Sequence, residues 1–347
     1  MENENIKFYG NKSFYFVGKL KSTENLFKTQ ENKNYIRLNL PLFDNVSTVY
    51  CEAFSFGISD YIYSSVNGKW TKTQWSERNS SSVLKGMRYG DKFSYNGKEF
   101  SNNYDLIQAF KSDVENGNVK KDDILDVRGN LELQVYNGEV QKRYVIKSIA
   151  KAKQDDKPHF SLVAEVLVEK DSVKEVEDGV EIDALLLEFL KLDGEDKKHP
   201  RLIPQKLTYK MTNNAIKRMV MEKLKVDEGY KAVCFECNVF RSAGEVKVEP
   251  LTDEQKLYIE LGFLTKEEAE KDNTVVDSNV TEELQVVKPV VKRQYKHISF
   301  VPDKEQTKEF MKGIEPKVDN VFDSTFGDSL VSDSDLADFF DIDNLPF

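Results

Sequence analysis

Residues Ile124 to Ile149 read ILDVRGNLELQVYNGEVQKRYVIKSI. Two strand-like runs, Ile124 to Tyr136 and Val140 to Ile149, meet at Asn137-Gly138, a dipeptide suited to the positive φ angles of a tight hairpin turn. Towards the N-terminus, a helix is expected near Asn103 to Asn116 (NYDLIQAFKSDVEN), with Asn103 as its cap. Before it come three strand candidates: Phe14 to Lys21, Tyr35 to Leu42 and Ser47 to Phe56. Gly18 inside the first predicts a bulge or sharp coil. Three strands, a helix and a hairpin predict closure into an OB-type barrel spanning residues 1–153.

Residues 154–250 repeat that order more faintly. Strands are expected at Phe160 to Val168, Val180 to Leu190 and Gln205 to Met211, a helix at Asn214 to Leu224, then strands at Tyr230 to Phe240 and Glu245 to Val248. A buried helix fits Val180 to Leu190 equally well. The fold class expected is therefore mainly β, with tandem OB-fold barrels, short helices and a disordered acidic C-terminal tail. Thr252-Asp253-Glu254-Gln255 and Thr265-Lys266-Glu267-Glu268 fit the capping-box pattern and place a short helical segment at residues 251–271. Residues 272–318 lack sustained periodicity and are expected as a linker, and 319–347 as the tail.

The chain has 347 residues, 39% of them hydrophobic, and a formal charge of -10. No run approaches the roughly 18 uncharged apolar residues of a membrane span, and MENENIKFYG lacks the basic-then-apolar order of a signal peptide. A soluble, cytoplasmic protein with no membrane partner is expected. Cys51, Cys234 and Cys237 are too few for a disulfide scaffold. The charge is uneven. Residues 1 to 153 carry 23 basic and 18 acidic side chains, residues 154 to 253 carry 16 and 21, and residues 318 to 347 carry 0 and 8, every acid an Asp. The basic head also holds 23 of the 39 aromatic residues.

The stretch RGNLELQVYNGEVQKRYVIKSI resembles the final hairpin of the bacterial single-stranded DNA-binding protein family. Phe16-Val17-Gly18-Lys19-Leu20 is similar to that family's first strand, and Phe54-Ser55-Phe56-Gly57 to the end of its third. The terminal Asp341-Ile342-Asp343-Asn344-Leu345-Pro346-Phe347 is similar to the family's acidic tip, which ends in a hydrophobic residue and Pro-Phe. Tyr61 to Phe100 is much longer than the resemblance supplies, and the second barrel has no counterpart in one-barrel members. The size looks like that of a phage-encoded relative, which would place the protein in the host cytoplasm. The resemblance implies DNA replication, recombination and repair as the setting, and two barrels per chain would permit a homodimer or a self-sufficient monomer.

Unpaired strands are held by cations that track phosphates and by aromatic faces that stack on bases, each stack worth about 1 to 3 kcal/mol. Tyr50, Phe54 and Phe56 share one parity, opposite to Val49, Cys51 and Ala53, so an inward small set turns the rings outward. Family position also favours Tyr50, Phe56 and Tyr136 for stacking. Lys19, Lys21 and Arg37 share outward parity with Tyr15 and Tyr35, and Arg128, Lys142 and Arg143 are candidates for the same groove. Trp70, Trp75, Arg78, Arg88 and Tyr89 lie in the long excursion, where a large aromatic needs a partner surface and the loop is placed to clamp the strand. At the other end, Phe347 with Leu345 and Pro346 suits a hydrophobic pocket on a replication or recombination enzyme, approached through Asp341 and Asp343.

Cys234 and Cys237 form half a zinc pattern with no second pair, and strand parity points them to opposite faces, so no metal is expected. No Gly-rich phosphate loop and no acid/base constellation is present, which gives no case for an enzyme or a cofactor. Two rival readings stay open: an RNA-binding OB protein, and an adaptor whose barrels bind only proteins.

Overall fold

The computed structural model describes residues 10–30, 35–136, 139–153, 155–191, 195–227, 229–242, 246–248, 252, 255–256, 259, 265, 274–276, 281–290 and 316–317. In chain order the first half contains β1 (Lys12–Leu20), β2 (Phe27–Gln30), β3 (Tyr35–Phe43), β4 (Thr48–Phe56), β5 (Tyr61–Val66), β6 (Lys69–Gln74), α1 (Ser81–Gly86), β7 (Phe93–Tyr95), β8 (Lys98–Phe100), α2 (Asn103–Glu115), β9 (Ile124–Tyr136) and β10 (Glu139–Lys151). The second half contains β11 (His159–Val176), β12 (Gly179–Leu190), β13 (His199–Lys210), α3 (Asn214–Leu224), β14 (Tyr230–Ser242), β15 (Val246–Val248), β16 (Thr274–Val276), β17 (Thr281–Pro289) and β18 (Pro316–Lys317).

The pairings of β1 with β3, β3 with β4, β4 with β10, β10 with β9, and β9 with β1 close a five-stranded circuit in which only the β4–β10 pair is parallel. With α2 inserted between the third and fourth of these strands, this is the OB arrangement. Alternation explains the closure: Ile36, Leu38 and Leu40 of β3 and Val49, Cys51 and Ala53 of β4 are all buried, as are Val127 and Leu131 of β9. Leu106, Ile107 and Phe110 of α2 add to the same core and are fully buried. The helix is capped one residue earlier than expected, by Asn102, whose side chain accepts from the Asp105 backbone N–H at 3.0 Å. Glycine is required where strands cross closely: a Cβ at Gly129 would lie 1.9 Å from the Val145 carbonyl oxygen, and one at Gly18 2.6 Å from that of Phe43.

The same circuit recurs. β11 pairs β12 and β14, β12 pairs β13, β13 pairs β17 in parallel, and β17 neighbours β14, with α3 between β13 and β14. Val180 to Leu190 is therefore a strand, because its partner β13 runs antiparallel from Gly179↔Lys210 to Leu190↔His199. The strand that completes this barrel is a correction to the sequence reading. It lies at Thr281–Pro289, inside the stretch expected as a linker, whereas among the described residues Val246–Val248 pairs with Thr274–Val276. Burial of Leu284 and Val286 is what fixes β17 in the wall. A ladder joins the two barrels, with Lys12 to Val17 of β1 antiparallel to Ala164 to His159 of β11.

The chain divides into two compact units, Met1–Phe240 with Glu283–Lys317, and Arg241–Glu282 with Val318–Phe347. The first holds both barrels. In the second, the expected capping box forms at Thr252, whose backbone N–H donates to Gln255 Oε1 (3.0 Å) while Gln255 N–H donates to Thr252 Oγ1 (3.2 Å). Of the box expected at 265–268, only Thr265 is among the described residues. No helix among the described residues is long and apolar enough to cross a membrane.

Candidate nucleic-acid interface

The outward side of the β3–β4 ladder carries Tyr35, Arg37 and Asn39 opposite Phe56, Phe54 and Glu52. Tyr35, Phe54 and Phe56 are each half-buried. The Tyr35 and Phe54 ring centroids are 5.4 Å apart, and Phe54 meets Phe56 edge-on at 5.1 Å. Three contiguous rings thus line one end of the barrel wall, each partly exposed. Tyr50 shares their parity and lies nearer the β3–β4 turn, opposite Pro41.

Two residues along β4 from Phe54, on the same side of the ladder, lies a residue the sequence reading missed. Glu52 is buried, and its carboxylate accepts from Arg37 Nε at 3.0 Å and from the Arg143 guanidinium. Burial alone pushes the Glu52 carboxyl up, but Arg143 and Arg37 together outweigh it and hold the group below the usual carboxylate range. Arg143 also donates to Gln134 Oε1 at 3.0 Å. The Glu52 carboxylate thus orients both guanidiniums, and Glu132 of β9 stands directly opposite Arg143 across the β9–β10 ladder. The signal available in the sequence was a lone acid on the ring-bearing parity of β4.

A carboxyl depressed in the fold contributes stability that is present above its unfolded range and is lost as pH falls through its folded value. Glu52→Gln is expected to cost about 1–3 kcal/mol at neutral pH. The gap to the wild type should close progressively once urea melts are taken below about pH 4.5, the unfolded carboxyl range.

The other expected residues are scattered. Lys19 and Lys21 are exposed, but Lys19 pairs with Phe43, so both sit at the turn end of the ladder. That is about 26 Å along β3 from Tyr35. Arg128 is exposed on β9, its guanidinium 4.5 Å from the Tyr15 ring and 2.8 Å from Asp126. Lys142 corrects the expected groove: consecutive strand residues face opposite ways, so with Arg143 outward Lys142 is buried and donates to Gln205 Oε1 at 2.6 Å. Trp75 and Arg78, expected in the long excursion as candidates to contact the strand, also hold that excursion to α2. Arg78 lies 4.2 Å over the Trp75 ring and donates twice to Asp105 of α2 (2.8 and 2.7 Å), while Trp75 packs edge-on against Tyr104. Trp70, Arg88 and Tyr89 are exposed. Tyr136 ends β9, its side chain outside the described residues, as are Asp341, Asp343, Leu345, Pro346 and Phe347.

No protein-family model matches the chain, and no curated protein does. Among solved structures it is similar to the wild-type single-stranded DNA binding protein from Thermus aquaticus, with a TM-score of 0.38 and 8% identity over 86% of this chain and 99% of that one. A deletion mutant of the same protein gives a TM-score of 0.38 and 9% identity over 85% and 98%. At that level of superposition the likeness bears on no individual residue.

The second barrel carries different chemistry on the corresponding strands. Glu181 and Asp183 of β12 face Thr208 and Lys206 of β13, with ion pairs from Lys206 to Glu181 (2.8 Å) and Lys174 to Asp183 (2.6 Å). Cys237 lies in the core with its thiol pushed up to about 12 by burial, and among the described residues no cluster could hold a metal ion.

Proposed function

We propose that the protein binds single-stranded DNA without sequence preference through the Tyr35, Phe54 and Phe56 face of its first barrel, in replication or recombination. The observation that carries this reading is the three-ring cluster flanked by the Glu52-oriented Arg37 and Arg143. Rings offer π-faces that every base can stack on, and guanidiniums attract phosphates by charge. The ion-paired face of the second barrel suits assembly more than DNA contact. The acidic tip ending Leu345-Pro346-Phe347 is assigned the recruitment of replication or recombination enzymes.

The test is anisotropy of labelled oligo-dT, a duplex and an RNA of equal length at several salt concentrations. Affinity for DNA single strands should exceed that for duplex, and tighter binding of the RNA would favour the RNA-binding reading instead. With about 5 phosphates neutralised, log K should fall by about 3.5 per decade of salt. Equal affinity for duplex, or binding indifferent to salt, refutes the assignment.

A further inference from the structure

The excursion after β4 folds into a feature that the barrel does not need. Only four residues separate Phe56 from Tyr61, where β5 and β6 begin an antiparallel hairpin paired from Tyr61↔Gln74 to Val66↔Lys69. Its turn is Asn67-Gly68, both residues at positive φ (54° and 76°), the geometry of a tight two-residue connection. Parity then splits the ribbon. Ser64 and Thr73 are buried and Ile62 and Val66 half-buried on one face, whereas the opposite face shows Tyr61, Tyr63 and Trp70 at 44%, 45% and 49% exposure.

The hairpin is held at both ends. At the tip, Asn67 N–H donates to the Gly86 carbonyl at 2.7 Å, and a Cβ at Gly86 would stand 2.4 Å from Val66 Cγ1, so the end of α1 lies directly against the ribbon. At the root, Trp75 N–H donates to Asp60 O (2.9 Å), and the Trp75–Arg78–Asp105 cluster ties the following turn to α2. Exposed rings on a braced ribbon are ordered before any ligand arrives, which removes the entropy cost that usually offsets stacking.

The charge of the ribbon selects the partner. Residues 61–74 contain Lys69 and Lys72 and no carboxylate. Lys72 Nζ stands 4.0 Å from the Tyr61 ring centre, and the Arg88 guanidinium reaches within 3.9 Å of where a Cβ on Gly68 would be. Lys72 on the ring face and Arg88 at the tip set cations beside exposed rings, which complements a polyanion that carries aromatic bases, and the hairpin begins only four residues after Phe56.

We propose that the β5–β6 hairpin is a second stacking platform, which engages the stretch of single-stranded DNA leaving the barrel face and so lengthens the binding site. This rests on the reading of the barrel given above. The test compares an oligo-dT of about 8 nucleotides, enough for one OB face, with one of about 30. Tyr61→Ala/Tyr63→Ala/Trp70→Ala should lose at least about tenfold in affinity for the long oligonucleotide and less than about twofold for the short one. The protein has two tryptophans, so Trp75→Phe leaves Trp70 as the sole reporter. Its emission should be quenched by the long oligonucleotide and not by the short. The hairpin proposal is overturned if the triple variant binds both lengths as the wild type does, or if Trp70 emission is unchanged when anisotropy shows the long oligonucleotide bound. It is also overturned if that emission responds to protein concentration without DNA, which would make the face a contact between copies. Binding of the short oligonucleotide with no gain for the long one sinks only the hairpin, whereas binding of neither by the wild type sinks the barrel reading as well.

Discussion

Tyr35→Ala/Phe54→Ala/Phe56→Ala is expected to lower affinity for a short oligo-dT by at least about 100-fold at fixed salt, given about 1–3 kcal/mol for each base stacked. The three rings touch one another, at 5.4 and 5.1 Å between centroids, so a single truncation lets its neighbours tilt into the gap and single changes should sum to less than the triple. The face is outward and half-buried, while the core beneath it is made by Ile36, Leu38, Cys51 and Ala53, so the barrel itself should survive, as circular dichroism would verify. The salt dependence separates stacking from charge. Arg37 and Arg143 remain in the variant, so the slope of log K against log salt should stay as it was while the whole line drops. An affinity within about threefold of the wild type would move the site away from this end of the barrel.

Much of that face was legible from parity alone. Once Val49, Cys51 and Ala53 are assigned inward, Phe54 and Phe56 have nowhere else to point, and Ile36, Leu38 and Leu40 fix Tyr35 and Arg37 in the same way. The first barrel's strands and α3 were legible for a similar reason: each is a local pattern with its own period and its own stop. What parity cannot give is which charges meet. Glu52 takes up both groove arginines through contacts that span three strands, and Trp75 serves α2 through Arg78 and Asp105, residues 27 apart in the chain. The hairpin at Tyr61 to Gln74 had a readable sign, Asn67-Gly68 between two alternating runs, but an exposed ribbon has no apolar stripe to announce it. β17 was the hardest element. Its sequence TEELQVVKP buries only Leu284 and Val286 among its described side chains, and it reaches its partners only after the chain has left the barrel at β14 and returned. A strand fixed by distant pairing carries almost no local signal.

That late strand leads to the second large effect. A chain ending at residue 280 should lose the second barrel, and one ending at residue 290 should keep it. β17 stands between β13 and β14, pairing Leu207↔Leu284 and Thr208↔Gln285 on one side, while on the other Val290 N–H donates to the Cys234 carbonyl at 2.8 Å. Without it, two strands lose a partner and the core loses Leu284 and Val286, each worth about 1.5–3 kcal/mol. Ladder hydrogen bonds add about 1 kcal/mol apiece. Together these rival the roughly 5–15 kcal/mol by which a whole domain is held folded. Both chains lack β18, which pairs with Val140 and Gln141 of β10, so the comparison isolates residues 281–290. Hydrogen exchange should show protection lost across β11 to β14 in the shorter chain while β3, β4, β9 and β10 keep theirs, because the first barrel closes on its own strands. Equal protection in the two chains would mean that the second barrel closes without its fifth strand, and β17 would then be an accessory to the wall and no part of it.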